Sequence, residues 1–226
     1  MPRFRPPSPP RFVNPRSRQP ADTPGPELPG DSENYEVLAQ GVALIRDVPG
    51  MTCEIGLRRG GGTRVIVDAL AQHGIRKTHI AIDPYGNIEY RTSDAETTRL
   101  DYTNRMRDEA LPNIYRYCME KGVHFVFFNL EDVEFFARFG DGVPVYAEHK
   151  TLEREYALVH FDGPHDVASL AAEIDFFAPR TSPGGAWVFD DVHNYDHAAL
   201  HERHVLPAGF EHLTTVGRKA LYRRAG

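Results

Sequence analysis

Cysteine is nearly absent from the chain. Cys53 and Cys118 are the only two in 226 residues, too few for a thiolate metal cluster. Set in an apolar strand pattern and a helix pattern, they are expected as buried thiols rather than a disulfide. No apolar run approaches the ~18 residues that a membrane helix needs, and the amino terminus lacks the apolar segment of a signal peptide. A cytoplasmic protein with no membrane partner is expected. Acid is missing from residues 1–20, which carry five arginines, so the formal charge of −6 conceals a remainder at −11. A body this acidic argues against nucleic acid as the main partner. Proline is scarce after the start, since ten of the eighteen fall in residues 1–30. That stretch has almost no apolar clusters and cannot bury enough surface to offset the entropy of ordering. It is expected to be a disordered leader, with a polyproline ligand as the lesser reading. Residues 31–226 are expected to form one domain, for which 41% hydrophobic and 26% charged residues are ordinary globular values.

What is present is organised around Tyr156 to His193. An apolar run (Tyr156 to Phe161) ends in Asp162. A helix-patterned segment follows, and a second apolar run (Ala186 to Phe189) ends in Asp190 and Asp191. Apolar runs without alternation are the mark of strands buried on both faces, and parallel strands joined by a helix bring their carboxyl ends to one edge. Ligands of open α/β sheets bind outside that edge. Three carboxylates gathered there repel one another unless they meet a cation, and hard oxygen donors suit Mg or a similar divalent ion. His165 leaves the same strand as Asp162 and is within reach of a reacting hydroxyl. The plainer reading makes these acids ordinary polar strand ends.

A second unit lies earlier. Met51 to Gly56 reads as a buried strand and Leu57 to Thr63 as a glycine-rich turn feeding a helix from Arg64 to His73. Glycine allows a ligand close to the backbone, and free N–H groups at a helix start favour an anionic or polar group. The spacing of Gly56, Gly60 and Gly61 fits the G-x-G-x-x-G dinucleotide fingerprint poorly. Lys77 to Ile82 is expected as the next strand, and Asp83 at its tip is placed to accept hydrogen bonds from a ribose diol. The polar segment 84–100 is a candidate lid or substrate loop ahead of a helix over Leu100 to Lys121. Val123 to Phe128 reads as a third strand, after which Glu131 could reach a bound base or simply open a helix. Helices are also expected over Glu33 to Arg46 and around Phe135 and Phe136. His193, His197, His201 and His204 share one helix face; an exposed polar helix is preferred there to a zinc site. Phe210 to Val216 and Ala220 to Arg224 are expected to close the chain as a hairpin through Gly217.

On EIGLRRGGGT (54–63), Asp83, DGPH (162–165) and PGGAWVFDD (183–191), the chain resembles the class I S-adenosylmethionine-dependent methyltransferases. Within them it is most similar to the metal-dependent sugar O-methyltransferases of antibiotic biosynthesis, of the macrocin and mycinamicin type. The resemblance covers about residues 35–226. It implies a Rossmann-like α/β fold, a mostly parallel seven-stranded sheet with helices on both faces and a C-terminal antiparallel hairpin. It also implies Glu54, Gly56, Gly60, Thr63, Asp83 and Glu131 around S-adenosyl-L-methionine, Asp162, Asp190 and Asp191 around Mg, and His165 as general base. The implied partner is a small-molecule hydroxyl acceptor such as a sugar or vicinal diol, with homo-oligomerisation left open. Catechol-type enzymes place a lysine where His165 stands, and Pro164 departs from the family pattern. A catechol-type O-methyltransferase, a nicotinamide-dependent oxidoreductase and a non-catalytic cofactor-binding protein are the alternatives.

Overall fold

A computed structural model describes residues 26–30, 32–98 and 102–226. The expected leader therefore lies outside the described residues up to position 25, while Leu28 is already buried against Gly60 and the apolar core. Helix α1 (Tyr35–Leu44) precedes β1 (Met51–Ile55), α2 (Gly61–His73) and β2 (His79–Ile82). The segment treated above as a lid carries a small hairpin, β3 (Tyr90–Arg91) and β4 (Thr97–Thr98), before α3 (Asn104–Glu120). Then come β5 (Phe125–Phe128), α4 (Asp132–Phe139), a second hairpin of β6 (Val143–Tyr146) and β7 (Lys150–Glu153), and β8 (Tyr156–Phe161). Helix α5 (Val167–Phe177) and a 3-10 turn lead to β9 (Thr181–Phe189). The short α6 (His197–Leu200) continues as a π turn over His201–Val205, and β10 (Phe210–Val216) and β11 (Lys219–Arg224) close the chain.

Seven strands form one sheet in the order β10-β11-β9-β8-β1-β2-β5. The five from β9 to β5 run parallel, while β11 lies antiparallel to β9 and β10 antiparallel to β11. The apolar runs predicted buried parallel strands, and β1, β2 and β8 are buried at every position; the seven-stranded sheet was implied by the resemblance, and its strand order comes from the structure. Successive residues feed two cores. Cys53, Val159, Trp187 and Phe189 face α4, α5 and α6, while Leu158, Ala186 and Val188 face α1 and α2. Phe161 and Phe189 stack at 4.4 Å between ring centroids on neighbouring strands. Such cross-strand aromatic pairs help set register and add about 1 kcal/mol beyond the area they bury.

Boundaries depart from expectation where local chemistry decides them. Helix α2 starts at Gly61, three residues early, because Gly60 takes φ +84° as its N-cap and lets the glycine turn wind directly into the helix. Helix α3 starts late, at Asn104, where the Thr103 hydroxyl accepts the Met106 N–H at 3.0 Å. The β6–β7 hairpin was not anticipated. Its strands pair with each other alone; β6 buries only Val143 and Val145, and β7 is exposed nearly throughout, so the apolar signal is too short to announce a hairpin. The histidine segment is also less exposed than predicted. His197 Nε2 lies 2.8 Å from the Tyr222 hydroxyl and His201 packs on the same ring.

Candidate active site

The sheet's order reverses between β1 and β8, and the crevice opens at their carboxyl ends. Backbone hydrogen bonds extend the register past each strand and bring the tips into line: Gly56 N–H to Ile82 O, Asp162 N–H to Ile55 O and Asp190 N–H to Phe161 O, each 3.0 Å. Gly56 has φ +87°, and a Cβ there would fall 1.9 Å from the Asp162 carbonyl oxygen. Only glycine lets these two loops touch. A cavity of about 400 Å³ lies over this edge, lined among others by Gly56, Asp83, Glu131, Asp162, His165 and the pair Asp190 and Asp191. Segment 84–98 contributes Tyr85, Ile88, Glu89, Tyr90 and Arg91 to its wall.

Glu54, Gly60 and Thr63 do not line the cavity. They belong to a buried polar chain beneath the turn. Thr63 Oγ1 donates to Glu54 Oε2 at 2.5 Å and stands 3.0 Å from His79 Nε2, while His79 Nδ1 is 3.0 Å from Thr52 Oγ1. Because the Thr63 proton goes to the carboxylate, His79 Nε2–H donates to Thr63 and the Thr52 hydroxyl donates to His79 Nδ1. His79 is thereby held neutral, its pKa lowered to about 4 chiefly by burial. Glu54 Oε1 lies 3.1 Å from His160 Nδ1, and His160 Nε2 has no hydrogen-bond partner among the described residues. Glu54 thus braces the start of α2 from below; a Cβ on Gly62 would strike its Oε1.

Asp83 is equally committed. Its Oδ2 accepts the N–H groups of Leu57 (2.9 Å) and Arg58 (2.8 Å), and its Oδ1 accepts that of Tyr85 (2.9 Å). About one of the roughly four acceptor positions of a carboxylate stays open toward the cavity. Burial raises its pKa to about 6 in spite of these bonds.

The acids after β8 and β9 do come to the cavity floor, with two bases that sequence reasoning missed. Lys219 is fully buried and pairs Nζ directly with Asp190 Oδ2. It also donates to Ser32 Oγ at 2.8 Å, and Ser32 donates to the same Asp190 oxygen at 2.9 Å. Arg218 Nη1 stands 3.3 Å from Asp191 Oδ1. Their place is decided by register: β11 runs antiparallel to β9 with Ala220 opposite Phe189, so Arg218 and Lys219 lie by the end of β9, where Asp190 and Asp191 follow. Burial works against the Asp190 carboxylate, but Lys219 outweighs it and holds the pKa below the usual range. Asp162 has no such partner; burial and then Asp190 beside it raise its pKa well above normal.

His165 Nε2 is 3.8 Å from Asp162 Oδ1 and 4.0 Å from Asp191 Oδ2, too far for hydrogen bonds, and has no other partner among the described residues. Burial lowers the pKa of this imidazole, against the pull of Asp191 and Asp190. The three acids and His165 therefore share one floor, as the sequence suggested. Their oxygens do not close into one ligand set, however. Among the described residues the three-donor group with ligand atoms within 4.8 Å of one another is Glu54, His160 and Asp162. The His193–His204 face forms no such group among the described residues.

A seven-stranded sheet with one antiparallel hairpin, a glycine turn after its first strand and an acid at the tip of its second defines the class I methyltransferase architecture. The chain belongs to the methyltransferase family, whose "Methyltransferase domain" model matches residues 53–192. No curated protein sequence matches it. Among solved structures it is similar to the O-methyltransferase NovP, at 18% identity and TM-score 0.58 over 85% of this chain and 79% of that one. The calicheamicin methyltransferase CalS11 aligns at 14% identity and TM-score 0.61, over 84% and 77%. The O-methyltransferase TomG from Streptomyces achromogenes, solved with SAM and involved in tomaymycin synthesis, aligns at 15% and 0.53, over 89% and 83%. No helix among the described residues is long and apolar enough to cross a membrane.

Proposed function

We propose that the protein transfers a methyl group from S-adenosyl-L-methionine to a hydroxyl of a small molecule carrying two neighbouring oxygens, such as a sugar diol or a catechol, with Mg at Asp162, Asp190 and Asp191. One observation carries this reading: His165, which lines a cavity at the sheet's switch point, holds a buried Nε2 with no hydrogen-bond partner among the described residues, 3.8 and 4.0 Å from two carboxylates.

The residues present offer donors for both groups, although the oxygens of Asp162, Asp190 and Asp191 would have to draw together around a cation. Gly56 permits close backbone approach, and Asp83 and Glu131 line the wall where a nucleoside would lie. Asp162 supports a cation, because burial first and then the neighbouring Asp190 charge, only partly offset by Lys219, drive its carboxyl to hold a proton. Asp190 would offer Oδ1, since its Oδ2 is held by Lys219 and Ser32. Arg218 is half exposed and free to turn aside from Asp191. When bound, the sulfonium cofactor supplies the methyl group and Mg lowers the pKa of a hydroxyl oxygen. His165, neutral because burial disfavours its charge, takes the hydroxyl proton at Nε2. Asp162 and Asp191 beside it stabilise the imidazolium that forms. Segment 84–98 closes one wall and excludes water from the reacting oxygen.

The similar structures NovP, CalS11 and TomG, named as O-methyltransferases, support the choice of oxygen as acceptor. The test is a methyl-transfer screen with labelled S-adenosyl-L-methionine against sugar-bearing natural products and catechols, with Mg or with excess EDTA. Asp162→Asn is expected to abolish turnover while calorimetry still detects S-adenosylhomocysteine. Full turnover in EDTA removes the metal from the mechanism. Binding of NAD in place of S-adenosylhomocysteine would replace the reaction class altogether.

A further inference from the structure

We propose that Tyr90 is a positioning residue that fixes the tautomer of His165, so that Nδ1 carries the proton and Nε2 is the atom left to accept one. The inference rests on the reading of His165 as general base and goes beyond it, because it places the origin of that base on a different segment of the chain.

Donor accounting carries the argument. The Tyr90 hydroxyl touches two groups, the Gly163 carbonyl oxygen, in a short hydrogen bond, and His165 Nδ1 at 3.2 Å. A carbonyl oxygen can only accept, so the one phenolic proton goes to Gly163. Toward His165 the phenol oxygen then offers only a lone pair, and Nδ1 must bring the hydrogen. In a neutral imidazole that leaves Nε2 bare, and Nε2 is the buried atom with no hydrogen-bond partner among the described residues. The Tyr90 ring also stands edge-on to the imidazole, centroids 6.1 Å apart at 85°, which fixes ring orientation as well as tautomer. Burial and the nearby Asp162 raise the Tyr90 pKa, so the phenol keeps the proton the accounting requires.

Tyr90 belongs to the β3–β4 hairpin, which is tied to the active-site loops at two further points. The His165 N–H donates to Arg91 O at 2.9 Å. Asp94 accepts the N–H of Val167 through Oδ1 (2.8 Å) and that of Asp196 through Oδ2 (2.9 Å). The hairpin that walls the cavity thus also sets the base, so displacing it removes the tautomer preference together with the wall.

The experiment is nitrogen-15 NMR of the full chain labelled at histidine, with and without S-adenosylhomocysteine, His165 being assigned by its loss in His165→Gln. The expected wild-type signature is a neutral ring protonated at Nδ1. In Tyr90→Phe the ring is expected to shift toward the Nε2-protonated form, with kcat lowered tenfold or more, a part of the 10² to 10⁴ that a general base contributes, and KM for S-adenosyl-L-methionine within twofold. A wild-type ring protonated at Nε2 overturns the proposal, and that spectrum decides even if Tyr90→Phe fails to fold. Unchanged tautomer and kcat in a folded Tyr90→Phe also overturn it. Full turnover by His165→Gln would instead remove the base role, a separate failure that leaves the tautomer measurement standing.

Discussion

Removing the ammonium of Lys219 tests the electrostatic reading of the site most directly. Lys219 is 0% and Asp190 1% exposed at the side chain, so water screens neither charge. In Lys219→Met the stem volume is nearly kept, but Asp190 remains with the Ser32 hydroxyl and the Asp191 N–H as partners. Breaking a buried ion pair by removing one member costs about 3–5 kcal/mol, since the remaining charge is uncompensated. For a domain of this size each kcal/mol moves Tm by about 2–4 °C, which predicts a fall of about 6–20 °C. The pH dependence gives the sign. In the wild type the Asp190 pKa is depressed, so its stabilisation is present above the unfolded-state value and is lost as pH falls. In Lys219→Met burial, the largest influence, is opposed only by His160 and the remaining hydrogen bonds, and the folded-state pKa is expected to rise. Destabilisation is then greatest at high pH and is relieved on acidification, as the carboxyl takes a proton. Urea unfolding from pH 8 to 5 should show the gap between variant and wild type narrowing toward acid. Asp190→Asn with Lys219→Met should recover at least half of the loss, because no charge is then left buried. A single variant within about 1 kcal/mol of wild type, or a gap that widens on acidification, would refute the reasoning.

Two further outcomes follow from the geometry. Gly56→Ala is expected to lose more than about 3 kcal/mol and all S-adenosylhomocysteine binding by calorimetry, because it combines a positive-φ penalty with a Cβ 1.9 Å from Asp162 O; a variant that melts like wild type would show that the β1 and β8 loops can part cheaply. His79 is kept neutral, its pKa falling from 6.5 unfolded to about 4 folded, so stability should drop by about 3 kcal/mol as pH falls from 6.5 to 4. Asp83, raised to about 6, opposes this over part of the same range. The check is therefore the difference between wild type and His79→Gln: the variant should gain about 3 kcal/mol relative to wild type as pH falls over this range, and equal slopes would show that His79 does not control the loss.

Much of the architecture was legible in the chain because its strands are buried on both faces. MTCEI, HIAI and YALVHF are apolar or nearly so without interruption, and their ends at Gly56, Asp83 and Asp162 mark one edge of the sheet. Linear order also sufficed to place Asp162, His165, Asp190 and Asp191 together, since parallel strands joined by a helix leave no other arrangement. Three things were not legible. Glu54 ends an apolar strand as a ligand acid would, yet it faces inward, because its rotamer is decided by Thr63 and His160 on other elements. Lys219 looks like an ordinary turn residue, and only the antiparallel register of β11 on β9 brings it beneath Asp190. Tyr90 lies in a polar segment without periodicity and reaches His165 only after the hairpin folds over the crevice. The sequence by itself determined which backbone groups align, through periodicity and burial that act over a few residues. Tertiary structure alone decided which charge meets which and where each proton resides. Those depend on contacts between residues far apart in the chain, and local pattern carries no record of them.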